Sequence, residues 1–304
     1  MKNVLIVGGT GFIGRHLVNI LKNDWQITVL TRKPGKYEEL FDSSVKIAKL
    51  DFQYQDVLVP LFEQTHAVVN LAGENVSGRW SKAKKEAIRN SRLDTDNVIV
   101  KTLNACKRPP EVVLQGSGMG VYGFVPSDDP VTEDTPLGTN GFLTEVGRAH
   151  EKVFEPLKSL TRVVFLRTGL VLHGKEGALP KMAASFKIFL GGPMGDGKHW
   201  NSWIHILDEV RAIKFLMEHE AAEGAYNLTA PNPVRNSEFS AALGKAMNRP
   251  AKFRTPATFL HLMMKDMADE LLLGGLKIIP KRLLEAGFRF QFEDIDEAFQ
   301  NIYH

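Results

Sequence analysis

Residues 3–14 read NVLIVGGTGFIG. The run Asn3–Val7 is short, apolar and β-branched, and it passes without a break into glycines spaced three apart, Gly8, Gly11 and Gly14. Beyond them Ile13, Leu17, Ile20 and Leu21 recur at offsets of 0, 4, 7 and 8, one face of a helix. The stretch therefore reads strand, tight turn, helix. Glycine suits such a turn, lets a pyrophosphate approach the backbone and packs the helix close to the strand, with the phosphates on the helix N-terminus. Gly8, Gly11, Phe12, Ile13 and Gly14 are thus the expected phosphate contacts. The triplet alone is shared with incidental turns; the strand before it, the helix after it and a second strand ending about 20 residues on make a dinucleotide site the better reading.

Working outward, QITVLT (26–31), VKIAKL (45–50), AVVNLAG (67–73), EVVLQGS (111–117) and RVVFLRTG (162–169) read as further strands, separated by segments long enough for helices. Buried strands alternating with helices predict an α/β fold, a doubly wound parallel sheet of the NAD(P)-binding Rossmann type. After residue 170 the period is lost, and HGKEGALPKM and LGGPMGDGKHWNSWIH read as loops with a binding role. LDEVRAIKFLMEHE returns to a helix with Asp208 as N-cap, AYNLTAP to a strand, and from Asn236 onward the chain reads as mostly helical. The expected organisation is a Rossmann domain over 1–170 and 205–230, with a smaller substrate domain over 171–204 and 231–304.

Composition narrows the function classes. With 43% hydrophobic and 24% charged residues in 304, the chain is an ordinary globular protein with material for two cores. A net charge of +3, interspersed along the chain, provides no basic stripe for nucleic acid. The single cysteine, Cys106, excludes an internal disulfide and a cysteine-based zinc site and fits a reducing compartment. Glycines interrupt the N-terminal apolar run too early for a signal segment, and no apolar stretch approaches about 18 residues. The expectation is a cytoplasmic protein with neither a nucleic-acid nor a membrane partner.

The end of the second strand selects the cofactor. An NAD site usually carries Asp or Glu there, whereas a 2′-phosphate calls for a cation. LTRKPGK (30–36) has no acidic residue, nor is there one between Trp25 and Tyr37. Arg32 offers a planar fork to a phosphate, with Thr31 and Lys33 beside it, which predicts NADP(H). A solvated basic turn is the alternative.

GGTGFIG, VVNLAGENV, GSGMGVYG and WIHILDE together resemble the extended short-chain dehydrogenase/reductase superfamily, its nucleotide-sugar epimerase and dehydratase group, over residues 1–230. NLAGENVSGRW, LGGPMGDGKHWNSWIHILDE, APNPVRNSEFSAALG and PKRLLEAGFRFQFEDIDEAF are similar to an atypical epimerase-like subfamily with a C-terminal helical extension. Beyond the glycine turn, the resemblance implies cofactor contacts at Thr31, Arg32, Asp51, Phe52, Leu71, Ala72, Gly73, Glu74 and Arg167. It also implies a substrate side at Ser117 and Trp203, and a homodimer through the helices of 81–105 and 142–158.

One part of the family pattern is missing. In the superfamily a Ser or Thr stands three residues before VYG, and the next helix carries Tyr-x-x-x-Lys; the tyrosine moves the proton and the lysine lowers its pKa. Here those places align with Gly118, Leu143 and Gly147, and no tyrosine in the chain has lysine four residues on. Two readings follow: an NADP-dependent oxidoreductase or epimerase acting on a small or sugar-like substrate with another proton donor, or a non-catalytic NADP(H)-binding sensor acting through a protein partner. No catalytic residue is assigned. Ser117 and Tyr122 sit at the sheet edge where ligands bind, although Tyr122 suits packing better. Glu145 and Arg148 read as an i,i+3 ion pair before a helix-borne acid and base, Gly147 as close packing or a cofactor edge, and HLMMKDM (261–267) as core before an adaptable binding surface. His199 and His205 lack a third ligand at metal spacing, so no metal site is expected.

Overall fold

The computed structural model of the chain describes residues 1–51, 55–125 and 127–304, with 55 and 56 described by backbone alone. In chain order the first half runs β1 (Lys2–Val7), α1 (Phe12–Leu21), β2 (Trp25–Thr31), β3 (Val45–Lys49), α2 (Gln55–Glu63), β4 (Ala67–Asn70), α3 (Lys82–Ala105) and β5 (Val112–Gly118). Then come α4 (Phe142–Val153), β6 (Arg162–Thr168), β7 (Leu170–Leu172), α5 (Leu179–Lys187), β8 (Trp200–Asn201), β9 (Trp203–His205) and α6 (Ile206–Glu218). The remainder is β10 (Gly224–Leu228), β11 (Val234–Arg235), α7 (Asn236–Met247), α8 (Ala257–Met264), a π-helical turn at Ala268–Leu273, α9 (Lys281–Glu285) and α10 (Ile295–Tyr303).

Seven strands form one parallel sheet in the order β10-β6-β5-β4-β1-β2-β3. Because successive side chains alternate between faces, Val4 and Ile6 of β1 enter a core with Leu17, Leu21, Val210 and Ile213 of α1 and α6. Leu5 and Val7 enter the opposite core with Leu58, Ile99 and Leu103 of α2 and α3. Both faces are covered, which is why the strands are apolar throughout. The strand order reverses at β1, between β2 and β4, and this opens a crevice beyond their C-terminal ends, where doubly wound sheets bind ligands.

A third core gathers Leu172, Leu179, Phe186, Trp203, Phe239, Leu243, Phe292 and Phe299. Leu283, Phe288 and Phe290, by contrast, join the α1/α6 face of the main sheet. Two local readings need correction. The cap of α6 is His205, whose Nδ1 accepts the Leu207 amide at 3.2 Å, because β9 runs straight into the helix and starts it ahead of Asp208. Asp208 sits inside the first turn, and its buried carboxylate accepts the amides of Gln291 at 2.9 Å and Phe292 at 2.8 Å, tying down the C-terminal segment. HLMMKDM is only partly core, for Leu262 is 75% and Met263 50% exposed while Met267 is buried.

Candidate cofactor and active site

The glycine turn is built by crowding. Gly8 has φ +81°, and a Cβ there would lie 2.7 Å from Ala72 N and Leu71 C; one at Gly14 would lie 2.5 Å from Gly8 O. Gly8 and Gly14 therefore seat β1 and α1 against the β4 loop and against the turn itself. Gly11 differs, since its φ of −78° suits any residue and its hypothetical Cβ meets only Gly8 O, at 3.2 Å. No side chain among the described residues caps α1. The first-turn amides, including those of Phe12 and Ile13, thus carry the partial positive charge of the helix end without an internal acceptor. These features fit a pyrophosphate.

Arg32 is exposed at the end of β2 and lines a cavity of about 410 Å³ with Ser91, Asp94, Thr95 and Asn97 of α3. Thr31 is half-buried beside it. Asp51 pairs with Lys49 at 2.8 Å, and Phe52 lies outside the described residues. Leu71 and Ala72 pass directly against Gly8. A Cβ on Gly73 would lie 2.9 Å from Arg92 Cζ, so that guanidinium reaches the cofactor-side loop. Arg92 also donates to Glu74 O at 3.2 Å, the Glu74 amide donates to Ser91 Oγ at 2.9 Å, and the Glu74 carboxylate pairs with Lys84 at 2.6 Å. Reading the sequence missed Arg92, which stands in a charged helical stretch with nothing to distinguish it.

On the side of the crevice towards α4, Leu143 packs with Trp80, Phe142, Met264, Leu271 and Leu272. A Cβ on Gly147 would lie 2.5 Å from Val121 Cγ1, so glycine serves close packing and a lysine there would require the turn Met119–Tyr122 and α4 to separate. The N-terminus of α4 receives a ligand from the far end of the chain: Glu270, in the π-helical turn, accepts the amides of Phe142 and Leu143. Glu145 pairs with Arg89 across to α3 at 2.6 Å, while Arg148 donates to Gly138 O at 3.0 Å, so the expected pair within α4 does not form; α3 is close enough to compete for the carboxylate.

Ser117, Tyr122 and Arg167 belong to one internal network. Arg167 grips Glu151 with two bonds, Nε to Oε1 at 2.9 Å and Nη2 to Oε2 at 2.8 Å, and donates to the Tyr122 hydroxyl at 2.8 Å. Tyr122 donates to Asn227 Oδ1 at 2.7 Å, and Ser117 donates to Glu151 Oε1 at 2.8 Å. Burial opposes the charge on Arg167, but Glu151 more than compensates and holds the guanidinium above its ordinary range. Burial likewise pushes the Tyr122 hydroxyl up, which keeps it protonated. Each of the three Arg167 side-chain nitrogens thus donates within this network. Trp203 is fully buried in the third core, with its indole N–H on Asn232 O, and is not a pocket wall. A mixed-charge groove of about 420 Å³ flanks α4 and β6 near Arg148, Lys152 and Lys158, and no residue of the glycine turn lines it.

A last grouping spans both halves of the chain. His16 of α1 and His173, after β7, meet edge to face with centroids 4.8 Å apart, and Phe12 lies 5.6 Å from each. Glu176 pairs with Arg15 at 2.5 Å, and Arg15 also donates to Thr10 O at 2.9 Å, in the glycine turn. Burial, then the neighbouring His173, pushes His16 below the usual histidine range.

A parallel sheet reversing at a bare, glycine-lined helix end, with α3 and α4 facing the crevice, defines a nicotinamide-dinucleotide-binding protein of the short-chain dehydrogenase type. The profile of the NAD dependent epimerase/dehydratase family matches residues 4–229, and that of a domain of unknown function, DUF1731, matches 255–302. The chain belongs to the NAD dependent epimerase/dehydratase family and carries its C-terminal extension. Epimerase family protein SERP0438 of Staphylococcus epidermidis is 34% identical over 307 residues, covering 99% of both chains. YfhF of Bacillus subtilis is 30% identical over 304 residues, 99% of this chain and 97% of its own. The crystal structure of human epimerase family protein SDR39U1 with NADPH superposes with a TM-score of 0.88 at 30% identity, covering 99% of both chains. A Bacillus anthracis dTDP-glucose 4,6-dehydratase solved with NAD shares the fold at a TM-score of 0.78 and 16% identity, over 100% of this chain and 96% of that one. No helix among the described residues is long and apolar enough to cross a membrane.

Proposed function

We propose that the protein binds NADP(H) in preference to NAD(H) and works on a small or sugar-like carbonyl or alcohol. The observation that carries the reading is Arg32, exposed beside α3 on a strand end whose own sequence, residues 26–36, holds no acid, Asp94 of α3 being the one acidic residue that lines the cavity with it. The relative SDR39U1, solved with NADPH, supports the same choice. Arg32 would hold the 2′-phosphate and the amides of Phe12, Ile13 and Gly14 the pyrophosphate, with Leu71 to Gly73 as the facing wall. When bound, the nicotinamide supplies hydride transfer. Ser117 donates its proton to Glu151, which leaves its oxygen free to accept a hydrogen bond from a substrate hydroxyl. The test is fluorescence titration of the purified protein with NADPH and NADH, in wild type and Arg32→Ala. Tighter NADPH binding that loses most of its preference in the variant is expected; equal affinities in wild type would refute the reading.

A second reading, an NADP(H)-dependent sensor without turnover, draws on Leu143. The place where the family aligns its tyrosine is packed among apolar side chains from the C-terminal segment. Oxidation or reduction of any member of a panel of sugars, nucleotide sugars and small carbonyls, followed at the nicotinamide absorbance, decides between the two.

A further inference from the structure

We propose that His16, His173 and Glu176 form a binding site for one divalent transition-metal ion of the zinc class, clipping the loop after β7 onto α1. Each residue offers one ligand atom, all three atoms lie within 4.8 Å of one another, and all three residues are half-buried. A bound ion would draw these three atoms in to ligand distance, and three protein ligands leave a fourth position for water. Among the described residues, neither ring nitrogen of His16 has a hydrogen-bond partner. The one bond at the His173 ring among the described residues is long, 3.4 Å from the Lys175 amide. Packing against Phe12 accounts for where the rings lie, and the long contact to His173 Nδ1 apart, the ring nitrogens make no hydrogen bond among the described residues.

The donor set defines the ion. Two imidazoles and one carboxylate suit zinc and its neighbours, whereas calcium and magnesium take oxygen ligands. Glu176 commits one oxygen to Arg15 and keeps the other for the metal, and the Arg15 contact orients the carboxylate as an outer partner of a ligand commonly does. Arg15 passes the connection on to Thr10 O, so the clip would brace the turn that precedes α1.

The experiment uses full-length protein with the affinity tag removed and metals stripped by chelator. Zinc is titrated calorimetrically into wild type, His16→Gln, His173→Gln and Glu176→Gln, with circular dichroism confirming the fold of each. One equivalent in wild type, weakened at least about tenfold by each variant, is the expected result. Cobalt added to wild type should give the visible bands of a four-coordinate nitrogen and oxygen site, a readout independent of whether any variant folds. Absence of saturable zinc binding, binding indifferent to both histidine variants, or a spectrum of six-coordinate aqueous cobalt overturns the proposal. Cofactor affinity is measured separately, so failure here leaves the NADP(H) reading standing.

Discussion

Glu270 grips α4 at its first turn, with Oε1 accepting the Phe142 amide at 2.7 Å and Oε2 the Leu143 amide at 2.8 Å. The helix has Gly141 at its cap position and no other side-chain cap, so a residue from the C-terminal extension supplies what the local sequence lacks. Glu270→Ala should cost about 1 kcal/mol, the usual worth of a cap reinforced by a charge at a helix N-terminus. Urea unfolding measures the loss. Amide exchange at Phe142, Leu143 and across 257–273 should quicken along with it, and Glu270→Gln should fall between. Unchanged stability together with unchanged exchange would mean that the latch contributes nothing.

The three glycines of the turn should separate into two kinds. Gly14→Ala drives a methyl into Gly8 O and Gly9 Cα and should destabilise the fold by about 1–3 kcal/mol. Gly11→Ala meets a single atom at 3.2 Å on a backbone that tolerates alanine, so stability should stay within about 0.5 kcal/mol of wild type. Its effect should fall on NADPH affinity instead, because Gly11 caps the helix end where the pyrophosphate is expected. Melting temperature and NADPH titration on both variants check this, and an equal loss of stability in the two would contradict it.

These contrasts mark what can be read from one sequence. The strand, turn and helix of residues 3–21 announce themselves because apolar periodicity and glycine spacing are local, and the alternation of further strands with helices extends them to the whole sheet. The place of Arg32 at the end of β2 was legible for the same reason, while its part in choosing the cofactor belongs to the proposal. Glu270, Arg92 and the Glu151–Arg167 pair were not, because each acts on a partner brought near only by tertiary packing. His16 and His173 likewise converge because the chain after β7 returns beside α1, so no spacing along the chain could pair them. For Trp203 the resemblance pointed to the substrate side, yet the residue is buried in the third core with its indole N–H on Asn232 O.

The buried pair Glu151–Arg167 should be costly to break from one side. Both side chains are less than one-tenth exposed. Glu151→Gln leaves the guanidinium buried with only Tyr122 and a neutral amide, and should destabilise by about 3 kcal/mol, the lower range for stranding a buried charge. Replacing both, Glu151→Gln with Arg167→Met, removes the stranded charge and should recover part of that loss. A double-mutant cycle in urea measures the coupling. A double variant less stable than the sum of the singles would show that the network is held chiefly by contacts other than this pair.

Glu209 should govern the alkaline side of the stability profile. Its carboxyl is fully buried in the first turn of α6, accepts the Thr168 hydroxyl at 2.8 Å, and leaves Oε2 without a partner among the described residues. Burial raises its pKa to about 8, against an ordinary value of 4.5, so the folded protein holds this proton where the unfolded chain has released it. The folded state therefore has its full advantage below about pH 4.5, loses it progressively as pH rises towards 8, and loses no more once both states are ionised. Glutamine mimics the protonated acid and removes the titration. The difference in stability between Glu209→Gln and wild type should grow in favour of the variant from pH 5 to 8 and then level off, by at most a few kcal/mol. Urea unfolding at half-unit pH intervals provides the comparison, and the other buried acids cancel in the difference. A difference that stays constant from pH 5 to 9 would mean that Glu209 ionises in the fold as readily as in the unfolded chain.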